Sequence, residues 1–239
     1  MRELRYAIRS LLRTPTFTAV VALSLGLGIG ATATAFSWLD AFVLRPLPGV
    51  PDSDRLMSVY SRGPGGTRWS ISYPRSVRWR EALSDDVDLA VFDNEQVSLR
   101  MESGAERLWA EVVSGNFFDV MRVRAIAGRT LTLADERSAA PVAVLSERTW
   151  ERLFARDPSV VGRQVSLNNN GYTIVGIVPA RFGGAAVGLA YDVWVPVTTL
   201  PLLDPGNNAI QRDNEQWLDG VARPADGVSL AVAAARLEH

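Results

Sequence analysis

Between Arg13 and Asp40 lie 26 residues without a charged side chain, and Arg2, Arg5, Arg9 and Arg13 precede them with only Glu3 opposing. A hydrocarbon core about 30 Å thick is crossed by roughly 20 apolar residues in a helix. The run meets that length, so a transmembrane helix over residues 15–45 is the first expectation. Excess arginine on its N-terminal side predicts a cytoplasmic N-terminus, with everything beyond the helix across the membrane. Pro15 suits the first turn of that helix, and Pro46 and Pro48 suit its end. Residues 2–13 place Leu4, Ile8, Leu11 and Leu12 on one helical face and the arginines mainly on the other. This fits an amphipathic segment lying on anionic lipid at the cytoplasmic leaflet. The expected organisation is a cytoplasmic segment 1–14, the helix, and an extracytoplasmic domain 46–239.

A secretory signal is the rival reading, with Ala31-Thr32-Ala33 and Ala33-Thr34-Ala35 as cleavage candidates. Apolar residues resume beyond them at Phe36, Trp38, Leu39, Phe42 and Val43, which favours an uncleaved anchor. A helix to Leu44 would be about 45 Å long and would tilt or project as a stalk. Gly26 and Gly30 form a GxxxG pair. That spacing lets a second helix approach closely, or it reflects only the abundance of glycine in membrane helices. Gly26, Gly28 and Ala31 also spell the dinucleotide fingerprint, but no strand precedes them and they sit mid-span.

Composition removes several chemistries. There is no cysteine, every one of the 25 basic residues is arginine, and the sole histidine is His239. Disulfides, a thiolate, a P-loop lysine, a Schiff base and a histidine-dependent serine nucleophile are therefore unavailable. Residues 1–13 carry +3 and the remainder −4, which leaves the main domain no basic footprint for nucleic acid. Paired carboxylates are the remaining catalytic route, at Asp85, Asp86 and Asp88 or at Asp213 and Glu215, but these clusters fit solvated turns better. Tryptophans and the Phe117-Phe118 pair read as core more readily than as a ligand pocket. The expectation is no enzyme, no cofactor and no metal.

The domain reads as α+β. Strands are expected at Arg55–Ser61, Asp88–Asp93, Gln96–Met101 and Glu106–Ser114, with turns at Asp93-Asn94 and Ser103-Gly104. Further strands are expected at Pro141–Leu145, Gln164–Leu167, Tyr172–Val178, Val193–Val197 and Trp217–Ala222. Asn170-Gly171 signals a hairpin between two of them. Helices are expected at Tyr73–Leu83 with Pro74 in the first turn, at Asn116–Met121, from a Ser146 cap to Ala155, and at Val228–Leu237. The Gly/Ala-rich loop Phe182–Gly188 is either mobile or closely packed.

Several stretches resemble a known family. Leu25–Ala31, Ala35–Ser37, Asp40-Ala41 and Val43–Pro48 resemble the first membrane helix and exit of MacB-like/FtsX-like ABC transporter permeases, closest to the duplicated permeases abundant in acidobacteria. Pro51–Leu56, Ile71–Pro74, Trp79-Arg80, Val113–Val120 and Gly128-Arg129 continue the likeness. So do Val142–Ser146, Trp150, Phe154, Asp157–Gly162, Leu167-Asn168, Tyr172–Pro179, Phe182-Gly183, Val193–Pro196 and Asp226–Ser229. The resemblance implies a MacB-like periplasmic core domain behind one inner-membrane helix. It also implies partnership with a separate or fused ABC ATPase and with other permease helices or a second permease half. The permease would pass ATPase-driven motion to its periplasmic domain rather than catalyse. Three later membrane helices of the family are absent, so the chain reads as a fragment. Where the family often has a basic residue before Pro-Gly-Val, this chain has Arg223–Val228, which carries no further reading. The alternatives are an anchored periplasmic binding module and a secreted enzyme released by signal cleavage.

Overall fold

The computed structural model describes residues 15–39, 47–101, 104–186 and 188–237. The chain divides into two compact units, Met1–Arg45 and Pro46–His239. In the first, helix α1 (Pro15–Leu39) runs 25 residues, about 37 Å at 1.5 Å per residue, with no acidic or basic side chain in its end turns. Among the described residues no helix is long and apolar enough to cross a membrane. The segment 1–14, with Arg2, Arg5, Arg9 and Arg13, and the expected helix end at 40–45 lie outside the described residues.

The second unit is built on strands in chain order. First come β1 (Met57–Val59), β2 (Ser61–Arg62), β3 (Arg68–Trp69), helix α2 (Tyr73–Ala82), β4 (Val87–Met101) and β5 (Gly104–Val113). Then follow α3 (Phe117–Val120), β6 (Ala127–Gly128), α4 (Leu133–Arg137), β7 (Val142–Ser146), α5 (Glu147–Phe154), β8 (Gln164–Leu167) and β9 (Asn170–Val178). Last are β10 (Val193–Pro196), α6 (Leu200–Leu203), β11 (Asp219–Pro224) and α7 (Leu230–Leu237). The sheet runs β1-β11-β4-β5-β10-β7-β9-β6, and β8 pairs with both β9 and β4. Strands β4, β5, β10, β7, β9 and β8 therefore close into a ring.

Alternation along the ring strands sorts side chains to two sides. Leu108, Ala110 and Val112 of β5 join Val193, Val195, Leu145 and Ile174 in an inner core. Val113, Val144 and Trp194 face the opposite way, into an aromatic cluster with Phe92, Phe117, Phe118, Phe182 and Tyr191. A third cluster forms where Val87, Leu89 and Val91 of β4 meet Ile71, Leu218 and Ala222, with Tyr73, Trp79 and Leu83 of the α2 region packed over it.

Two expected turns fall elsewhere. Asp93 and Asn94 are interior to β4, paired with Val112 and Glu111, so the two strands expected there are one. Their polarity marks the point where β4 leaves the doubly covered sheet: Val87 and Leu89–Phe92 are buried, whereas after Phe92 only alternate residues are, beginning at Val97. The hairpin β8–β9 turns at Asn168-Asn169, both with positive φ (46° and 67°), while Asn170 and Gly171 already pair with Leu167 and Ser166. Positive φ at both central residues is the type I′ geometry that strand twist favours, and asparagine tolerates it. Side chains decide the register: the Asn168 backbone N–H donates to Ser98 O at 3.0 Å, and Ser98 N–H donates to Asn168 Oδ1 at 2.7 Å. Asn168 Nδ2 also donates to Leu203 O at 2.9 Å. This asparagine extends the short β4–β8 seam at Leu99↔Leu167 and Arg100↔Ser166, which closes the ring.

Asn168→Ala removes two side-chain hydrogen bonds and strains a left-handed residue, so it is expected to lower unfolding free energy by about 2–3 kcal/mol in urea titration. Asn168→Gly, which accepts the backbone, is expected to cost less.

Candidate functional site

Three acids of the two clusters are held in ion pairs. Asp86 pairs with Arg236 at 2.9 Å, Asp213 with Arg78 at 2.6 Å and Glu215 with Arg212 at 3.0 Å. Among the described residues no group of three or more His, Asp or Glu is placed to hold a metal. Gly26 and Gly30 lie on α1 with open space where a Cβ would stand, and form a shallow groove with Leu23, Leu27 and Ala31. A second small-residue row, Ser24, Gly28 and Thr32, lines another groove on the same helix.

One polar cluster joins the two ends of the domain. Strands β1 and β11 are antiparallel, with Met57 opposite Ala222, so the incoming segment Leu47–Arg55 and the outgoing segment Pro224–Val228 share one end of the sheet. Arg223 is 2% exposed and lies between them. It donates from Nε to Val120 O (2.6 Å), from one terminal nitrogen to Asp52 O (2.9 Å) and from the other to Pro51 O (3.1 Å). Burial lowers its pKa, and the neighbouring Arg122 adds to the lowering. Arg122 bridges outside, to Asp52 at 2.8 Å and Asp226 at 2.9 Å. Arg55 donates to Val228 O at 3.2 Å. A planar guanidinium with donors in a fixed fork suits this task, because it meets three backbone carbonyls at once.

The incoming segment is also docked into the core. Val50 is buried in the aromatic cluster, with Leu47 packed against it. Gly49 has φ +76°, and a Cβ there would stand 2.7 Å from Arg181 O, so glycine is what lets the segment lie flat on Arg181-Phe182. Phe182 in turn stacks on Trp194, ring centroids 5.3 Å apart. Of the two readings of loop Phe182–Gly188, close packing is what Phe182 and Ala185 display. Beneath them the fully buried Glu111 accepts Trp194 Nε1–H at 2.5 Å and Ala185 N–H at 2.9 Å. No cation is among these partners, and burial pushes the Glu111 carboxyl up to about 8. Asp93 is similarly pushed up by burial, to about 6.

A second buried carboxylate behaves oppositely. Glu136 on α4 is 2% exposed and receives both terminal nitrogens of Arg80 (2.7 and 2.8 Å), Tyr73 Oη–H (2.9 Å) and Gly115 N–H (2.6 Å). Burial alone would raise its pKa, but these donors, Arg80 foremost, hold it below the usual carboxylate range. It ties α2 and α4 to the turn before α3.

Sequence reasoning missed all three centres. The available signal is a lone charge inside an apolar strand: Glu111 between Ala110 and Val112, and Arg223 after Val221-Ala222.

Residues 18–239 match the family described as the MacB-like periplasmic core domain. The chain is 28% identical over 152 residues to the macrolide export ATP-binding/permease protein MacB of Hahella chejuensis, covering 62% of this chain and 21% of that protein. To the protein of the same name from Salmonella typhimurium it is 28% identical over 123 residues, covering 50% and 17%. It thus spans about a fifth of the length of the curated relatives it matches. Among solved structures, it resembles the periplasmic region of MacB from Actinobacillus actinomycetemcomitans (TM-score 0.59, 16% identity, 79% of this chain and 82% of that one). It also resembles the extracellular domain of the noncanonic ABC-type transporter YknZ from Gram-positive bacteria (TM-score 0.53, 16% identity, 77% and 91%). At such identities these structures speak for the fold.

Two outcomes are expected. Arg223→Met leaves three carbonyls at the junction without their donor, so amide exchange of residues 50–56 should accelerate at least tenfold, about 1.4 kcal/mol of local protection. Glu111 keeps its proton in the folded state up to about pH 8 and loses it near 4.3 when unfolded. Stability should therefore fall as pH rises from about 5 to 8, because over that range the native state binds the extra proton. Glu111→Gln should flatten this slope in thermal melts at a series of pH values.

Proposed function

Because the chain belongs to the MacB-like periplasmic core domain family, we propose that it acts as the membrane-anchored periplasmic part of an ABC transporter permease. In this reading α1 spans the inner membrane with residues 1–14 in the cytoplasm and residues 46–239 in the periplasm. ATP hydrolysis falls outside these residues, which have no lysine for a P-loop. A separate or fused ATPase supplies the motion, and the complex performs efflux or lipoprotein handling. Other permease helices or a second permease half pack on α1 through Gly26 and Gly30.

The observation that carries this reading is the Arg223 clamp, which fixes the incoming and outgoing segments to each other and to Val120. Displacement of the incoming segment is thereby delivered to β11 and the aromatic core together. Supporting the span, the hydroxyls of Ser24, Thr32 and Thr34 donate to the carbonyls four residues back, at 2.9, 2.8 and 2.7 Å. Hydroxyls satisfied within their own helix are compatible with hydrocarbon.

In bacterial membranes the chain is expected to resist alkaline extraction, its main domain to be cut by protease added to spheroplasts, and an ATPase subunit to co-purify with it. Gly26→Leu with Gly30→Leu should reduce that co-purification severalfold without lowering membrane retention. A soluble product beginning near Thr34 or Phe36 would overturn the anchor, and retention without any ATPase would leave the alternative, an anchored binding module.

A further inference from the structure

Between Val59, paired with Gly220, and Ile71, paired with Leu218, residues 60–70 leave the edge of the sheet and come back to it. The excursion is the hairpin β2–β3, with Ser61 opposite Trp69 and Arg62 opposite Arg68. Like charges set directly across two strands destabilise the pair. Among the described residues neither Arg62 nor Arg68 has a carboxylate partner. Arg68 instead lies 4.5 Å over the Tyr60 ring. Arg75 donates to Ser61 Oγ at 3.1 Å, and Asp213, the acid beside it, is taken by Arg78 at 2.6 Å.

Aromatics stand among these charges. Tyr60 is 39% and Trp69 46% exposed. The Trp69 indole is held against Gly63, where a Cβ would meet it at 2.6 Å, so the ring is positioned rather than loose. Arginine, tryptophan and tyrosine are the residues that dominate protein-binding hot spots.

We propose that this hairpin is a docking site for an acidic segment of a partner protein, whose carboxylates separate Arg62 from Arg68 while a flanking apolar side chain covers Tyr60 and Trp69. An anionic membrane presents the same charge, but the chain beyond residue 13 carries −4 and is repelled by such a surface as a whole. A cationic spot on an acidic domain suits a short acidic segment. The inference does not depend on the transport reading, since it concerns binding by the domain alone.

The test is fluorescence anisotropy of a labelled short peptide alternating Glu and Leu, titrated with the detergent-solubilised full chain. Saturable binding is expected that weakens roughly tenfold in the double variant Arg62→Ala/Arg68→Ala and at high salt, but not in Arg107→Ala, an exposed arginine elsewhere. The melting temperature of the double variant without peptide should be unchanged or higher, because the opposed charges are gone. A Lys/Leu peptide should not bind, and inorganic phosphate should not compete at concentrations that leave ionic strength unchanged. Equal binding by the double variant would overturn the proposal. So would binding to phosphatidylglycerol vesicles, lost in the same variant, with no peptide binding.

Discussion

Strand β4 has to satisfy hydrogen-bonding groups on both edges over fifteen residues, and the architecture follows from how it does so. One edge pairs with β5 from Phe92↔Val113 to Met101↔Gly104. The other edge pairs with β11 from Val87 to Phe92, then with β8 at Leu99 and Arg100. That change of partner converts an open sheet into a sheet continuous with a ring. It also separates the cores: the first half of β4 is covered on both faces, the second half on one. An unpaired central strand edge would be an aggregation template as well as an energetic cost, and the strands that end the sheet path, β1 and β6, are only three and two residues long.

Two buried carboxylates hold what the sheet does not. Glu136 is paired with Arg80 and stays charged, so its contribution is lost as pH falls through its lowered pKa. Glu111 has amide and indole donors but no cation, and its raised pKa makes it a cost as pH rises. The first ties helices to the sheet, and the second fixes the loop on which the incoming segment rests. Opposite pH responses from two buried acids follow from one difference, the presence of a guanidinium.

Local patterns were legible where structure is local. The alternation of β5, the Ser146 cap, whose Oγ accepts Thr149 N–H, and the Phe117-Phe118 pair all matched expectation. The turn at Asp93-Asn94 did not, because polar residues within a strand resemble a turn until the paired strand is known. Asn170-Gly171 misled because the tertiary bonds of Asn168 to Ser98 and Leu203 select a turn two residues earlier. The Arg223 centre was illegible for a plainer reason: its three acceptors are backbone carbonyls, invisible to composition, from residues 51, 52 and 120.

Arg223 also determines how the domain bears tension. Antiparallel strands pulled apart from the end they share come open like a zipper, one hydrogen bond at a time, which is the weakest mode of loading. Strands β1 and β11 share such an end, and only three residue pairs join them. Arg223 sits at the mouth of that zipper, with its three bonds on carbonyls outside the ladder. A pull on the incoming segment must therefore break the two bonds to Pro51 and Asp52 in parallel before the first rung parts, while the third holds Arg223 to Val120. The seam is short, yet it fails as a block rather than by peeling.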